Sequence, residues 1–203
     1  MHPFANKSLQ QTNHLYQKIK FMKFTRFSFL LLCFVATSFA GVAQNIYLKV
    51  MDPTQINGES QTSAYRNWTD ITAFNAGATQ PSNFTQGSGK ADSKCFTISM
   101  SQDKMAYYLK RKLFLGATLT SIQLDFTRPS NTSPTAFIYY MVQMENVYVT
   151  AIEEAQTQGN PLITMNVSFL PAKFRYTYTP QNPNGTAGTP TIFGWDVIMN
   201  APW

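Results

Sequence analysis

The sequence predicts a mainly β protein, an antiparallel β-barrel or two-sheet barrel that carries one α-helix. Apolar residues alternate with period two in several runs, as in Phe96, Ile98 and Met100, and this spacing is typical of half-buried strands. Turn residues such as Gly, Pro and Asn separate these runs. Only one stretch, 102–115, has the helical spacing. Strands interrupted by one helix indicate a barrel or sandwich with a helical insertion.

The first part of the chain contains three predicted strands and two loops. Asn45–Val50 is β-prone, Tyr65–Phe74 gives a second strand, and Lys94–Met100 gives a third in which Thr97 and Ser99 face away from the apolar side. The polar segment Thr54–Ser63 is expected to be a loop. Asn75–Asp92, rich in glycine and poor in apolar residues, is predicted to be a long exposed loop, either functional or disordered.

The predicted helix runs from Gln102 to Leu115. Ser101 precedes it as a candidate N-cap, and Gly116 follows it as a suitable C′ residue. The basic run 110–112 lies in its last turns. Cations there complement the negative end of the helix dipole, so the run is interpreted as structural rather than as an anion site.

The strands after the helix are predicted at Thr118–Arg128, Phe137–Ile152, Ile163–Phe169, Phe174–Tyr178 and Thr191–Asn200. The second of these is long enough to curl around a barrel. The apolar residues change parity across Pro171. This change predicts a β-bulge, where proline is tolerated within strands.

The basic charge of the chain is concentrated at its N-terminus. The formal net charge is +6, but five of the 16 basic residues and none of the 10 acidic ones lie in the first 26 residues. The remainder therefore has 11 basic and 10 acidic residues, a net charge of +1. This balance gives no reason to expect a nucleic-acid partner.

Residues 22–43 have the features of a secretory signal peptide. A positive segment ending at Arg26 precedes the apolar run Phe27–Val35 and a small-residue stretch, with cleavage expected after Ala43 or, alternatively, Ala40. The alternative is a retained helical anchor, although the run is shorter than the roughly 20 residues of a membrane span. Residues 1–21 are predicted to be a non-native upstream extension or a disordered segment. A single domain is predicted at 44–203.

Histidine and cysteine counts exclude most catalytic sites from a chain that begins after Ala43. Both histidines, His2 and His14, lie before that point, and Cys95 is the one cysteine after it. A disulfide framework, a His-containing zinc site and a Ser-His-Asp or Cys-His arrangement each need a partner that is absent. Cys95 is interpreted as a small buried hydrophobe in a strand. No catalytic, metal-binding or cofactor-binding residue is predicted.

Two weaker candidates for chemistry remain. Glu153 and Glu154 are adjacent carboxylates, but neighbouring residues on a strand point to opposite faces and cannot flank one bond. The many Tyr and Phe residues are expected mainly to pack between strands. Exposed ones could instead stack against sugars, which leaves open an exported monomeric β-module that binds glycans or another protein.

The chain resembles the Hcp family, the tube proteins of bacterial type VI secretion. The resemblance rests on the ordered segments Ile46–Val50, Gly58-Glu59-Ser60, Trp68–Ile71, the helix from Asp103, Glu145–Ala151, Tyr176–Pro180 and Gly194-Trp195-Asp196 with Asn200. Twelve positions within these segments are called the signature residues below: Gly58, Glu59, Ser60, Trp68, Glu145, Val147, Val149, Tyr178, Pro180, Gly194, Trp195 and Asp196.

The resemblance implies a β-barrel with one helix that forms a hexameric ring, with rings that stack into a hollow tube. It also implies secretion-apparatus partners and small effector proteins carried inside the ring, and no enzymatic activity. Loops Thr54–Ser63 and Asn75–Asp92 would be candidates for contact with neighbouring subunits. The leader departs from the family pattern, since these tube proteins are assembled in the cytoplasm without a signal peptide. The location implied is therefore the periplasm, cell surface or medium if the leader is cleaved, and otherwise the cytoplasm before secretion.

Overall fold

The computed structural model describes residues 44–80, 82–83, 87–88, 91–129, 136–159 and 161–203. Every described residue belongs to one compact unit, Val42–Trp203. The predictions for 1–21 and 22–43 lie outside the described residues.

The described part is built from strands and one α-helix. The elements, in chain order, are β1 Asn45–Met51, β2 Gln55–Ile56, a 3₁₀ turn Ser63–Tyr65, β3 Thr69–Asn75, β4 Ala78–Thr79, β5 Ser82–Asn83, β6 Gly87–Ser88, β7 Asp92–Ser93, β8 Phe96–Ser101, α1 Lys104–Leu115, β9 Leu119–Arg128, β10 Phe137–Ala155, β11 Thr164–Tyr178, β12 Thr191–Asp196 and β13 Ala201–Pro202.

Six antiparallel strands close into a barrel in the order β10-β9-β1-β3-β8-β11, because β11 also pairs with β10. The long strand β11 makes this closure possible. Its first half, Thr164–Phe169, pairs with β8, and its second half, Lys173–Tyr178, pairs along the same edge with β12. A small sheet of β12 and β13 thus extends the barrel. The predicted fold class, a mainly β barrel with one helix, is confirmed.

The core fills the barrel with the side chains that the period-two pattern places inward. Leu48 pairs across strands with Leu124, and Val167 with Ile98, and all four are fully buried. Helix α1 contributes Met105, Ala106 and Leu109 to the same core. Burial of each large apolar side chain contributes about 1.5–3 kcal/mol, so the barrel interior is the main source of stability.

The parity change at Pro171 is present, but the bulge predicted there was wrong. Val147 pairs with Pro171 and Glu145 with Lys173, so the register is continuous across this point. The inward face changes on neighbouring strands together, from Val147 to Met144 and from Pro171 to Phe174. Because β10 and β11 both change the face that points into the barrel at the same level, their pairing continues without the extra residue of a β-bulge. The register shift of this pair lies between Val149 and Ala151.

The helix begins later than predicted, and its cap is a different residue. Ser101 is the last residue of β8, and Asp103 is the N-cap of a helix that starts at Lys104. One Asp103 carboxylate oxygen accepts a hydrogen bond from the Ala106 amide at 3.1 Å, and the other accepts one from the Thr69 hydroxyl at 2.7 Å. Gly116 adopts the left-handed conformation with φ 60° and ends the helix as expected.

Three further predictions about the first half need correction. The second strand begins at Thr69 rather than Tyr65, which belongs to the 3₁₀ turn. The segment Asn75–Asp92 is not simply a loop, because β4 pairs with β7 and β5 with β6. Cys95 lies just before β8 and is half-buried rather than buried, with its sulfur 3.5 Å from the Thr150 hydroxyl.

Candidate functional site

The signature residues Gly58 and Ser60 fix a loop against the start of β3. The Gly58 and Ser60 amides donate to the carbonyl oxygens of Asn67 and Trp68, each at 2.8 Å. A Cβ atom on Gly58 would lie 2.5 Å from the Trp68 carbonyl oxygen and closer still to the Thr69 hydroxyl. Only glycine fits there. Ser60 is buried and donates to an Asp70 carboxylate oxygen at 2.8 Å, while Glu59 is exposed.

An aromatic cluster lies on the outer face of β1 beside this loop. The rings of Tyr47 and Tyr65 stack at 3.9 Å, and Trp68 meets Tyr65 edge-on at 5.0 Å. The ammonium group of Lys49 lies 5.6 Å from the Trp68 ring. Flat aromatic contacts of this kind add to the hydrogen bonds that hold the loop. The signature residue Trp68 thus packs against Tyr65 and Lys49 on the outer face of the barrel.

Asp125 is a buried carboxylate beside the same cluster, and no sequence pattern predicted its burial. Its exposed fraction is 3%, and the Gln123 side-chain amide donates to it at 2.8 Å. Burial raises the pKa of Asp125, while hydrogen bonds from Gln123 and Tyr65 act in the opposite direction. Burial, followed by the negative charge of Asp125, likewise raises the pKa of Tyr65. An Asp within an apolar alternating strand is the signal that could have pointed to this position.

The signature residues of β10 divide between the two faces of the barrel wall. Val147 and Val149 are buried in the core, whereas Glu145 is exposed and pairs across strands with Ser121 and Lys173. The two valines therefore pack inside the barrel, while Glu145 on the same strand faces outward.

The closing segment forms a tight contact between β12 and β13. A Cβ atom on Gly194 would collide with the Trp203 carbonyl group, and the Trp203 amide donates to the Gly194 carbonyl oxygen at 3.1 Å. The Arg175 guanidinium lies 4.2 Å from the centre of the Trp203 ring. The backbone here can approach this closely only because position 194 has no side chain.

Asp196 orders the turn that connects these two strands. Its carboxylate accepts a hydrogen bond from the Met199 amide at 2.8 Å and forms an ion pair with the Lys173 ammonium group at 3.1 Å. The Met199 bond and then the Lys173 contacts lower the pKa of its carboxyl group. Tyr178 ends β11 half-exposed, and the Pro180 carbonyl oxygen accepts from the Gly188 amide at 2.7 Å, which closes the next loop.

An apolar groove runs along β12, and we call it the β12 groove. It forms a half-open pocket of about 280 Å³. Its wall includes Ala76, Ala78, Phe174, Tyr176, Phe193 and Trp195. Tyr176 stacks on Phe193 with ring centres 6.3 Å apart, and burial raises the pKa of Tyr176 to about 12. The groove therefore offers a largely aromatic surface. No local sequence pattern indicates this groove, because its walls come from distant segments of the chain.

Three charged or polar contacts tie α1 to the strands beside it. Glu154 pairs with Lys110 at 2.5 Å, and Lys112 and Tyr108 both bond to Asp52. No group of three His, Cys, Asp or Glu side chains that could hold a metal ion occurs among the described residues. In the same part of the chain, no helix is long and apolar enough to cross a membrane.

Solved structures place this barrel in a known class. A structure described as a type six secretion system protein superposes with a TM-score of 0.71 and 21% identity, covering 79% of this chain and 100% of that one. Hcp1 from Salmonella typhimurium gives 0.65 and 18%, covering 79% and 99%. Hcp1 from E. coli EAEC 042 gives 0.63 and 18%, covering 76% and 99%. The chain thus has the barrel fold of Hcp proteins.

The sequence itself assigns the family. Residues 47–178 match the family model described as type VI secretion system effector, Hcp. Comparison with curated protein sequences gives no significant match. Because the family match spans well over half of the chain, the protein belongs to the Hcp family. The resemblance seen in the sequence is confirmed, and signature residues 180 and 194–196 lie beyond the matched range.

Proposed function

We propose that residues 44–203 form a structural subunit of which six copies assemble into a ring, and that rings stack into a tube of the type VI secretion kind. The observation that carries this proposal is the family match over 47–178 on a closed barrel of the Hcp fold. A tube subunit needs extensive self-complementary surface and no catalytic group. A head-to-tail ring uses two different faces of each subunit and closes by rotation.

The proposed partners follow from the same architecture. Neighbouring copies are the first partner, secretion-apparatus proteins are the second, and small effector proteins held inside the ring are the third. No enzymatic activity, cofactor or nucleic-acid partner is proposed, since the residues after Ala43 include no histidine and have a near-neutral charge. The loop Thr54–Ser63 and the segment Asn75–Asp92 are proposed to contact adjacent subunits.

Native mass tests the ring directly. The chain expressed from Gln44 is suitable, because the unit Val42–Trp203 is compact by itself. We expect a mass of six protomers and ring-shaped particles by negative-stain electron microscopy. A protein that stays monomeric at concentrations well above those used for imaging would contradict the proposal.

We further propose that the leader 22–43 exports the protein and is removed after Ala43. The positive segment, apolar run and small residues at the expected cleavage site support this. Sequencing the N-terminus of exported protein tests it, and a first residue at Gln44 is expected. Exported protein that retains residues 22–43 would support an anchor instead.

A second candidate is an exported monomer that binds glycans, and the aromatic wall of the β12 groove favours it. Trp195 and Phe193 offer the faces on which a sugar could stack. Titration of a glycan panel while following tryptophan fluorescence tests this. A monomeric protein whose fluorescence changes with one glycan would favour the monomer over the ring.

A further inference from the structure

A row of four polar side chains crosses the outer face of the barrel wall. Lys49 of β1 pairs across strands with Gln123 of β9. Gln123 also pairs with Gln143 of β10, which in turn pairs with Arg175 of β11. Most of the residues next to these four in the chain are buried, so the four side chains point outward. We call them the outer row, and each is half-buried, which leaves part of it open to solvent.

Both ends of the outer row carry a cation that rests on a tryptophan ring. The Lys49 ammonium group lies 5.6 Å from the centre of the Trp68 ring. The Arg175 guanidinium lies 4.2 Å from the centre of the Trp203 ring. Such cation–π contacts hold long, flexible side chains in one place. The two charges are therefore positioned before a ligand arrives, which lowers the entropic cost of binding.

Among the described residues, the two charges of the outer row have no acidic partner. The ion pairs found there include neither Lys49 nor Arg175, and the buried Nε of Arg175 has no hydrogen-bond partner. Asp125 lies buried beside the row and accepts a hydrogen bond from Gln123 instead. The row itself thus carries two positive charges and no negative one, so a ligand that lies along it should be acidic.

The surroundings limit this ligand to a narrow chain. On one side of the outer row, the turn Ser63–Tyr65 covers Asp125. On the other side, the next row holds Glu145 and the ion pair of Lys173 with Asp196, which leaves one negative charge in excess. A second line of acidic groups would be repelled there. The ligand must therefore follow the outer row across the strands.

The spacing of the outer row favours a glycan over a peptide. Neighbouring strands lie about 4.8 Å apart, so the row offers one side chain at each such interval and spans about 14 Å. An extended peptide places side chains on one face about every 6.8 Å, which is out of step with the strands. Linked pyranose rings repeat at nearly the strand spacing, and their hydroxyl groups both donate and accept. The glutamine amides of the row can do the same.

We propose that the outer row binds a linear acidic glycan, one that contains uronic acids, laid across β1, β9, β10 and β11. Arg175 and Lys49 bind its carboxylates, and Gln123 and Gln143 form hydrogen bonds with its hydroxyl groups. The site is separate from the β12 groove, which lies on the other face of β12. This binding goes beyond the proposed ring and does not depend on it.

Isothermal titration of the chain from Gln44 with tetragalacturonate tests this site. At low salt we expect binding that weakens as salt rises, because the charges involved are partly exposed. Arg175→Gln should weaken binding roughly ten- to a hundred-fold, because charge-assisted hydrogen bonds are lost. Lys49→Gln, at the other end of the row, should also weaken it and leaves the stack of Arg175 on Trp203 in place. Arg111→Gln is the matched control, since it removes the same charge from an exposed position of α1 and should leave the affinity unchanged.

Two further ligands test the chemical class of the glycan. A neutral tetramer of glucose and the peptide tetraglutamate should each bind at least about ten-fold more weakly than tetragalacturonate. Equal binding of the neutral sugar would overturn the role of the carboxylates, and equal binding of tetraglutamate would show a peptide site instead. Equal losses in Arg111→Gln and Arg175→Gln, or no binding of tetragalacturonate, would overturn the outer row as a site. Native mass of the same samples reports the ring separately, so either proposal can fail alone.

Discussion

Substitution of Gly58 by alanine should destabilise the barrel, because the added methyl group has no space. It would lie 2.5 Å from the Trp68 carbonyl oxygen and closer to the Thr69 hydroxyl. Real Cβ atoms do not approach backbone atoms so closely, so the loop has to move away from β3. Overpacking of this kind costs about 1–3 kcal/mol.

Movement of the loop also disturbs the hydrogen bonds on either side of Gly58. The amides of Gly58 and Ser60 donate to the Asn67 and Trp68 carbonyl oxygens in the turn just before β3, and each such bond contributes about 0.5–1.5 kcal/mol. The displaced Thr69 hydroxyl would weaken its bond to the helix cap Asp103. Together these terms predict a loss of roughly 2–5 kcal/mol, which corresponds to roughly 5–15 °C in melting temperature.

Urea unfolding followed by tryptophan fluorescence measures this loss, and Gly77→Ala is the matched control. A Cβ atom on Gly77 would meet only the Lys94 side chain, at an ordinary 3.8 Å. The control should therefore stay within about 0.5 kcal/mol of the wild type. If both alanine variants unfold at the same urea concentration, close packing at Gly58 does not stabilise this loop.

Three further predictions concern other contacts. Gly194→Ala should release the segment around Trp203 from β12, because the added methyl group collides with the Trp203 carbonyl group, at a cost of about 1–3 kcal/mol. Faster proteolysis of residues 197–203 would show this release, and unchanged proteolysis would contradict it. Leu109→Ala should cost about 2–5 kcal/mol in urea unfolding, because this α1 side chain is fully buried, and a loss below 1 kcal/mol would count against the helix packing described. Asp125→Asn should change the pH dependence of stability. Burial raises the folded-state pKa of Asp125 above its unfolded value near 3.9, so its stabilising contribution is present in acid and is lost as pH rises through the folded pKa. Compared with the variant, the wild type should therefore be relatively less stable at pH 7 than at pH 4, and an equal difference at both pH values would refute the assignment.

The sequence predicted the elements whose evidence is local. Phe96, Ile98 and Met100 alternate with polar neighbours, so their strand and its buried face follow from five residues. The helix cap was misassigned because Ser101 and Asp103 are both good capping residues. The difference comes from Thr69, whose hydroxyl bonds to Asp103 from 34 positions away. No local pattern contains that contact.

The candidate site was harder to predict for the same reason. The β12 groove joins Ala76 and Ala78, beside the two-residue strand β4, to aromatic residues about a hundred positions later. Strands of two residues, such as β4 and β7, are too short to show a period-two pattern of apolar residues. The segment Asn75–Asp92 was therefore interpreted as a loop. Asp125 was missed because a polar residue in an alternating strand normally faces solvent, whereas here the Ser63–Tyr65 turn covers it.

Barrel closure decides what kind of surface is left for self-association. In an open sheet, the unpaired backbone groups of an edge strand are a ready site for a second copy. Here β10 pairs with β11 and closes the six-stranded wall, and β13 with Trp203 covers β12 from Gly194 to Asp196. Among the described residues the outer edge of β12 is open at 191–193, which is short for strand addition. Strand β10 pairs with β9 only as far as Val147, so its edge at 148–155 is the longer open one. Backbone infrared spectra of the assembled and the dissociated chain should accordingly show a gain of strand signal on assembly, and equal strand content in both would mean that association uses side-chain faces alone.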